Sequence, residues 1–232
     1  MKLMTIKNNK YIVVGCRPWN KEIFEEVISH YPGDWHFLST PVELTLEAIE
    51  QINPRFLFFL HWSWKVPESI VQRYECVGFH PTDLPFGRGG TPVQNLIIRG
   101  LKDTKLSVFR MTEEMDGGPI YCKEPFSLDG SAEQIYLRMN KIAAQMVHKI
   151  IVEEIAPVPQ EGEVVLFKRR KPIESEIPRL SSLQELYDFI RMLDATDYPR
   201  AFFYYNGLRY ELSEASFLGD EIQAKVTIRP VR

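Results

Sequence analysis

The sequence predicts an α/β chain: a doubly wound, mostly parallel sheet followed by a small C-terminal appendage that is α+β or β-rich. Three observations predict it. Strand-length apolar runs at residues 11–15, 35–38 and 56–60 alternate with helical patterns, the β-α-β-α-β rhythm that builds parallel sheets with right-handed crossovers. The run at 56–60, Phe-Leu-Phe-Phe-Leu, is apolar throughout, as a strand covered on both faces must be. After Ala156-Pro157-Val158-Pro159 the pattern changes to one amphipathic helix and a hairpin. The expected division is 1–160 and 161–232.

Residues 11–15 read as the first strand, turning at Gly15 into a helix with Ile23, Val27 and Ile28 on one face. Gly15 does not open a phosphate loop, because neither G-x-G-x-x-G nor G-K-[ST] follows. A second strand at 35–38 leads to Thr40-Pro41-Val42-Glu43, which has the marks of a helix start: a capping Thr, Pro at the first position and Glu three residues past the cap. That helix is expected to end near Asn53-Pro54. A third strand at 56–60, a Trp-bearing loop and a short helix at 68–74 follow. Residues 76–79 form a buried strand, 92–99 a helix and 105–111 a strand with Leu106, Val108 and Arg110 on one face. Ser131-Ala132-Glu133-Gln134 is a capping box opening the longest helix, whose stripe of Ile135, Met139, Ile142, Met146 and Ile150 is core. In the appendage, Leu183, Leu186, Tyr187, Ile190 and Leu193 mark a helix begun by Ser181 or Ser182. Asn206-Gly207 turns a hairpin between 201–205 and 208–212, and a further strand spans 221–228.

Bulk composition narrows the function classes. The 232 residues suffice for one good core and a small addition. Net charge is −3, which supplies no basic field for a nucleic-acid backbone. Cys16, Cys76 and Cys122 form no C-x-x-C and no zinc spacing, so reduced, buried thiols are expected and no metal. The lysine-bearing N-terminus lacks a signal-peptide core, and no apolar run reaches the length of a membrane span. The expected compartment is cytoplasmic, with no membrane partner.

Two loops carry the chemistry. The first is Phe79-His80-Pro81-Thr82-Asp83-Leu84-Pro85-Phe86-Gly87-Arg88-Gly89-Gly90, leaving the end of a strand, where open α/β sheets place their sites. The second is Met115-Asp116-Gly117-Gly118-Pro119-Ile120. Together they resemble the folate-dependent formyltransferases, whose pattern is roughly N-x-H-x-S-L-L-P-x-x-R-G followed by D-x-G-x-I. His80, Thr82, Leu84-Pro85 and Arg88-Gly89 match the first motif, and Asp116, Gly118 and Ile120 the second. Gly78 stands where that family has Asn, and Asp83 where it has the first Leu. The resemblance covers roughly residues 10–160 and implies a Rossmann-like fold of the formyltransferase type.

The resemblance also implies a reaction. A formyl group would pass from 10-formyltetrahydrofolate to an amine, with His80 and Asp116 as catalytic residues. Asp116 would fix the tautomer of His80 and favour its imidazolium form; His80 would donate to the developing oxyanion; Asp116 would take the amine proton. By the same analogy Trp64, Val66, Ile70, Thr112, Glu113, Met115 and Asp116 would line the folate site, with Val66-Pro67 matching the usual Leu-Pro ending of that loop. The alternative for Trp62 and Trp64 is a cover over the sheet end. His61 stands equally as a substrate contact or a satisfied loop histidine. The missing Asn removes one oxyanion donor. A backbone N–H or a side chain such as Thr82 or Asn95 replaces it, or the motif is offset in space, or the protein is a poor enzyme or a non-catalytic folate-binding relative.

For the acceptor, the substrate-binding candidates are Thr82, Asp83, Arg88, Tyr198 and Arg200. Asp83 either meets a sugar hydroxyl or holds its own turn, and Arg88 either binds an anion or braces the loop against a neighbouring acid. The cluster Lys168-Arg169-Arg170-Lys171 is a solvated face or a nucleotide contact. The C-terminal stretch resembles the extension of the amino-sugar N-formyltransferases. That resemblance implies a small-molecule acceptor, an amino sugar carried on a nucleotide for surface-polysaccharide or glycoconjugate synthesis, and no nucleic acid. A different amine acceptor such as methionyl-tRNA is the alternative, and a homodimer through the hairpin is left open.

Overall fold

The computed structural model describes residues 8–231; the lysine-bearing start of the N-terminal stretch, residues 1–7, lies outside them. The chain forms two compact units. Among the described residues, the first comprises 8–88, 105–124 and 139–164, and the second 89–104, 125–138 and 165–231.

The first unit holds most of a six-stranded sheet of order β2-β1-β3-β4-β6-β7. Its strands are β1 (Lys10–Gly15), β2 (Asp34–Leu38), β3 (Phe56–His61), β4 (Cys76–His80), β6 (Asp103–Arg110) and β7 (Ile120–Ser127). β1 pairs in parallel with β2 and β3, β3 in parallel with β4, and β4 antiparallel with β6. The sheet is therefore mostly parallel, and β1, β3 and β4 are buried almost throughout. Helices α1 (Pro18–Glu26), α2 (Leu46–Ile52) and α3 (Glu68–Arg73) supply the crossovers. One core cluster joins Ile12, Val14, Leu44, Ile49, Leu57, Phe59, Val66, Ile70 and Cys76. The cysteines are free, with Cys76 buried and Cys16 and Cys122 half-buried. Burial pushes the Cys76 thiol up to about 12 and the Cys122 thiol up to about 11, so both stay protonated near neutrality.

One helix start differs from the sequence expectation. Residues 40–43 form a turn, because the Glu43 carboxylate accepts from the backbone N–H groups of Ser39 (2.6 Å) and Thr40 (3.0 Å). The helix begins one turn later, where Thr45 Oγ1 accepts from the Ala48 N–H at 3.2 Å. Asn53 ends it in the left-handed region, φ 50°.

The second unit contains α4 (Pro92–Ile98), the first turns of α5 (Ala132–Glu153), α6 (Leu183–Arg191) and an antiparallel sheet of order β11-β10-β9. The sheet comprises β9 (Ala201–Tyr205), β10 (Leu208–Leu218) and β11 (Glu221–Pro230), with the Asn206-Gly207 turn at φ 47° and 73°. Ser182 caps α6, accepting from the Glu185 N–H at 3.2 Å, and Ser131 and Gln134 form the expected box at α5. Residues 89–104 and 125–138 belong with the C-terminal residues because their polar groups are satisfied there. Gln94 donates to the Met192 carbonyl at 3.0 Å, and Arg191 donates to the Leu128 (2.6 Å) and Gly130 (2.9 Å) carbonyls. The compact units thus do not divide at residue 160. Two strands had no sequence expectation: β5 (Phe86–Gly89) and β8 (Val165–Phe167) form a two-stranded ladder of their own. Among the described residues no helix is long and apolar enough to cross a membrane.

Candidate active site

His80 is the last residue of β4, between β3 and β6 in the sheet. Its ring is buried, with the side chain 9% exposed. Nε2 lies 2.8 Å from the Gly87 carbonyl oxygen, and Nδ1 lies 3.6 Å from Asp116 Oδ2. A carbonyl can only accept, so Nε2 carries a proton. A carboxylate faces the other nitrogen, so both ring nitrogens look at acceptors. Asp116 comes from the loop between β6 and β7, and its backbone sits in the left-handed region at φ 52°. At 3.6 Å the two groups are in ionic reach yet beyond a hydrogen bond. A donor and an acceptor poised side by side in this way can serve one reaction that needs both.

The loops around the pair are tied by a chain of charge-assisted hydrogen bonds. Arg88 is buried, donating from Nη1 to Glu114 Oε1 at 2.5 Å and from Nε and Nη2 to Gln160 Oε1 at 3.1 and 2.7 Å. Gln160 Nε2 donates in turn to the carbonyls of Asp116 (2.7 Å) and Gly118 (2.8 Å). A Cβ at Gly118 would stand 1.8 Å from the Arg110 carbonyl oxygen, so only glycine permits this close loop return.

Gly78 has a physical reason. It faces Phe59 on β3 and Phe109 on β6. A Cβ there would meet the Phe109 ring at 2.7 Å. Phe109 packs with Leu84 and Ile120 and fills the space an Asn side chain would need. Asn95, one candidate replacement donor, spends its amide on the carbonyls of Gly90 (3.1 Å) and Thr91 (3.0 Å) at the start of α4.

The remaining sequence-predicted residues fall into distinct environments. Thr82 is fully buried; its carbonyl accepts from Ser107 Oγ at 2.6 Å, and its hydroxyl has no hydrogen-bond partner among the described residues. Asp83 pairs with Lys123 at 2.5 Å and Lys105 at 2.9 Å. Burial pushes its carboxyl up, but those two lysines outweigh it and hold it below its usual range. Arg88 stands in the bracing arrangement just described. Val66 and Ile70 lie in the core cluster and support the Trp-bearing loop from beneath. Trp64 is 50% and Met115 72% exposed, so both are open to a ligand. Thr112 and Glu113 are exposed, and Glu113 accepts from Gln72 of α3 at 2.8 Å, joining that loop to α3. Tyr198 and Arg200 belong to the second unit, where Tyr198 stacks on Tyr136 at 5.4 Å and Arg200 pairs with Asp194. His61 is part-buried; burial, and then the charge of Arg17, lower it to about 4 and keep it neutral. Sequence reasoning missed Gln160 and Phe109, whose parts in the site depend on main-chain carbonyls and a neighbouring strand, and it left unnamed the acid beside Arg88, which is Glu114.

A family model described as formyl transferase matches residues 19–154, and one described as methionyl-tRNA formyltransferase, C-terminal domain, matches 172–229. A methionyl-tRNA formyltransferase of Rickettsia felis is 26% identical over 184 residues, covering 76% of this chain and 60% of that protein. The chain thus spans about three-fifths of the length of that relative. A homologue from Ehrlichia ruminantium is 24% identical over 93% of this chain and 76% of its own length. The solved structure of a methionyl-tRNA formyltransferase from Clostridium thermocellum superposes with a TM-score of 0.91 at 41% identity, covering 96% of this chain and 99% of that one. A 4-N formyltransferase from Francisella tularensis shares the fold, with a TM-score of 0.68 at 18% identity over 85% of this chain and 93% of that one. The first family model spans both the His80 strand and the Asp116 loop, and the Clostridium likeness runs nearly end to end in both chains. The protein belongs to the formyl transferase family.

Proposed function

We propose that this chain is a folate-dependent N-formyltransferase moving a formyl group from 10-formyltetrahydrofolate to a primary amine. The observation that carries the reading is the juxtaposition of His80 and Asp116, 3.6 Å apart and partly shielded from water. Formyl transfer forms a C–N bond to the acceptor and breaks the one to the folate nitrogen. His80 as imidazolium donates to the carbonyl oxygen as negative charge develops there. Asp116 takes the proton that the attacking amine loses, and that proton leaves on the departing nitrogen. The exposed Trp64 and Met115 offer apolar faces to a flat heteroaromatic ring, with the Met115 loop tied to α3 through Glu113.

The amine of methionyl-tRNA is the acceptor that the comparisons support better, because both the tail's family model and the named relatives point to it. A nucleotide-linked amino sugar is the second reading. A net charge of −3 favours it, since a tRNA backbone is met by basic surface.

The test offers 10-formyltetrahydrofolate with methionyl-tRNA and, separately, a panel of nucleotide amino sugars, and follows release of tetrahydrofolate. Wild-type turnover on one acceptor is expected. His80→Asn and Asp116→Asn should each lower kcat by about 10²–10⁴-fold with the fold intact. Full activity in either variant would remove the mechanism, and folate binding without turnover on any amine would leave a non-catalytic relative.

A further inference from the structure

We infer that Gln160 is a positioning residue that holds Asp116 against His80; the inference rests on the formyl-transfer reading above. Gln160 lies in the stretch between the two matched family segments, 19–154 and 172–229, so neither match assigns it a role.

Its amide is fully satisfied. Oε1 accepts twice from Arg88, at 3.1 and 2.7 Å, and Nε2 donates twice, to the Asp116 carbonyl at 2.7 Å and the Gly118 carbonyl at 2.8 Å. Its orientation is dictated by chemistry: a guanidinium only donates and a carbonyl only accepts, so the oxygen must face Arg88 and the nitrogen the loop. The loop it grips carries an unusual backbone, with Asp116 at φ 52°. A non-glycine residue in that region is held there by its surroundings. Here the grip is on the peptide of Asp116 itself, one bond from the atom that sets where its carboxylate points. Arg88 anchors the other side of the amide, buried and braced on Glu114 at 2.5 Å. Gln160 therefore transmits a fixed guanidinium position to the acid of the reacting pair, and it touches no reacting atom.

The test is Gln160→Glu in the full chain, with Gln160→Ala beside it. A carboxylate of the same length still accepts from Arg88 but has no N–H for the carbonyls of Asp116 and Gly118, so it cuts the loop half and spares the anchor half. The expected result for Gln160→Glu is a kcat lowered by about 10–100-fold, the scale of a misplacement near 1 Å. KM for the formyl donor should change much less. A crystal structure of the variant should show the Asp116 carboxylate displaced from its place beside His80. Wild-type kcat in Gln160→Glu, a loss confined to KM, or a variant structure with the His80–Asp116 contact unchanged each overturns the inference. If Gln160→Ala fails to fold, the Glu variant still decides. If the wild-type chain transfers formyl to no acceptor, the function reading falls, and the variant structure alone decides the position of Asp116.

Discussion

Gly78 is small because Phe109 is large. The two face one another across β4 and β6, and the ring lies where a side chain on residue 78 would go. The lack of a side chain at residue 78 is thus matched by a bulky aromatic on the next strand. Gly78→Asn should cost about 1–3 kcal/mol by overpacking, measured by urea unfolding. In a Phe109→Ala background the same change should cost clearly less, because the obstruction is gone. Equal costs in both backgrounds would show that the ring is not what excludes the side chain. His80 and Asp116 could be singled out in the sequence because their two loops resemble the formyltransferase motifs; the residues themselves show only that both come after strand-like runs. Gln160 could not: its four hydrogen bonds go to a guanidinium and two peptide carbonyls, and carbonyls leave no mark in a sequence.

Among the elements, the clearest divergence is at α2. Thr40-Pro41-Val42-Glu43 has the composition of a capped helix start, yet Glu43 folds back on Ser39 and Thr40 and closes a turn. Five residues later Thr45 offers the same chemistry, with Leu44 buried beside it, and the helix starts there. Local composition cannot choose between two competent caps; burial of the neighbouring apolar residue does. Thr45→Ala should therefore destabilise by about 1 kcal/mol, while Thr40→Ala leaves the urea midpoint nearly unchanged. The reverse order would return the helix start to Thr40. Strands β5 and β8 escaped notice for another reason. They are 4 and 3 residues long, too short for an alternation to register. The hairpin was legible, by contrast, because Asn206-Gly207 fixes its turn by conformational preference alone.

At the scale of the whole molecule, the sequence indicated the sheet and its crossovers but not which segments associate. Residues 89–104 and 125–138 sit in the middle of the chain, yet belong to the unit built by its end. Nothing periodic in them records that Gln94 serves the Met192 carbonyl or that Arg191 serves Leu128. Global stability should carry the signature of His61. Burial and the Arg17 charge lower this histidine from an ordinary 6.5 to about 4. The folded state then binds fewer protons than the unfolded state between those values. Stability is fully present above pH 6.5 and declines as pH falls towards 4, by at most about 3 kcal/mol from this group. Urea unfolding from pH 7 to pH 4 should show the decline, and His61→Gln should flatten part of it. An unchanged slope in that variant would assign the acid sensitivity elsewhere.

The amide of residue 160 also bears on where this protein can be trimmed. The family segment that spans the acid and the imidazole closes at residue 154, a natural place to cut if a minimal catalytic fragment were wanted. Such a fragment would keep His80 and Asp116 and discard the Gln160 amide that holds the Asp116 peptide, leaving the Arg88 guanidinium without that acceptor. A fragment that retains Gln160 has to reach past the proline pair at 157 and 159, into residues that read as mere connection.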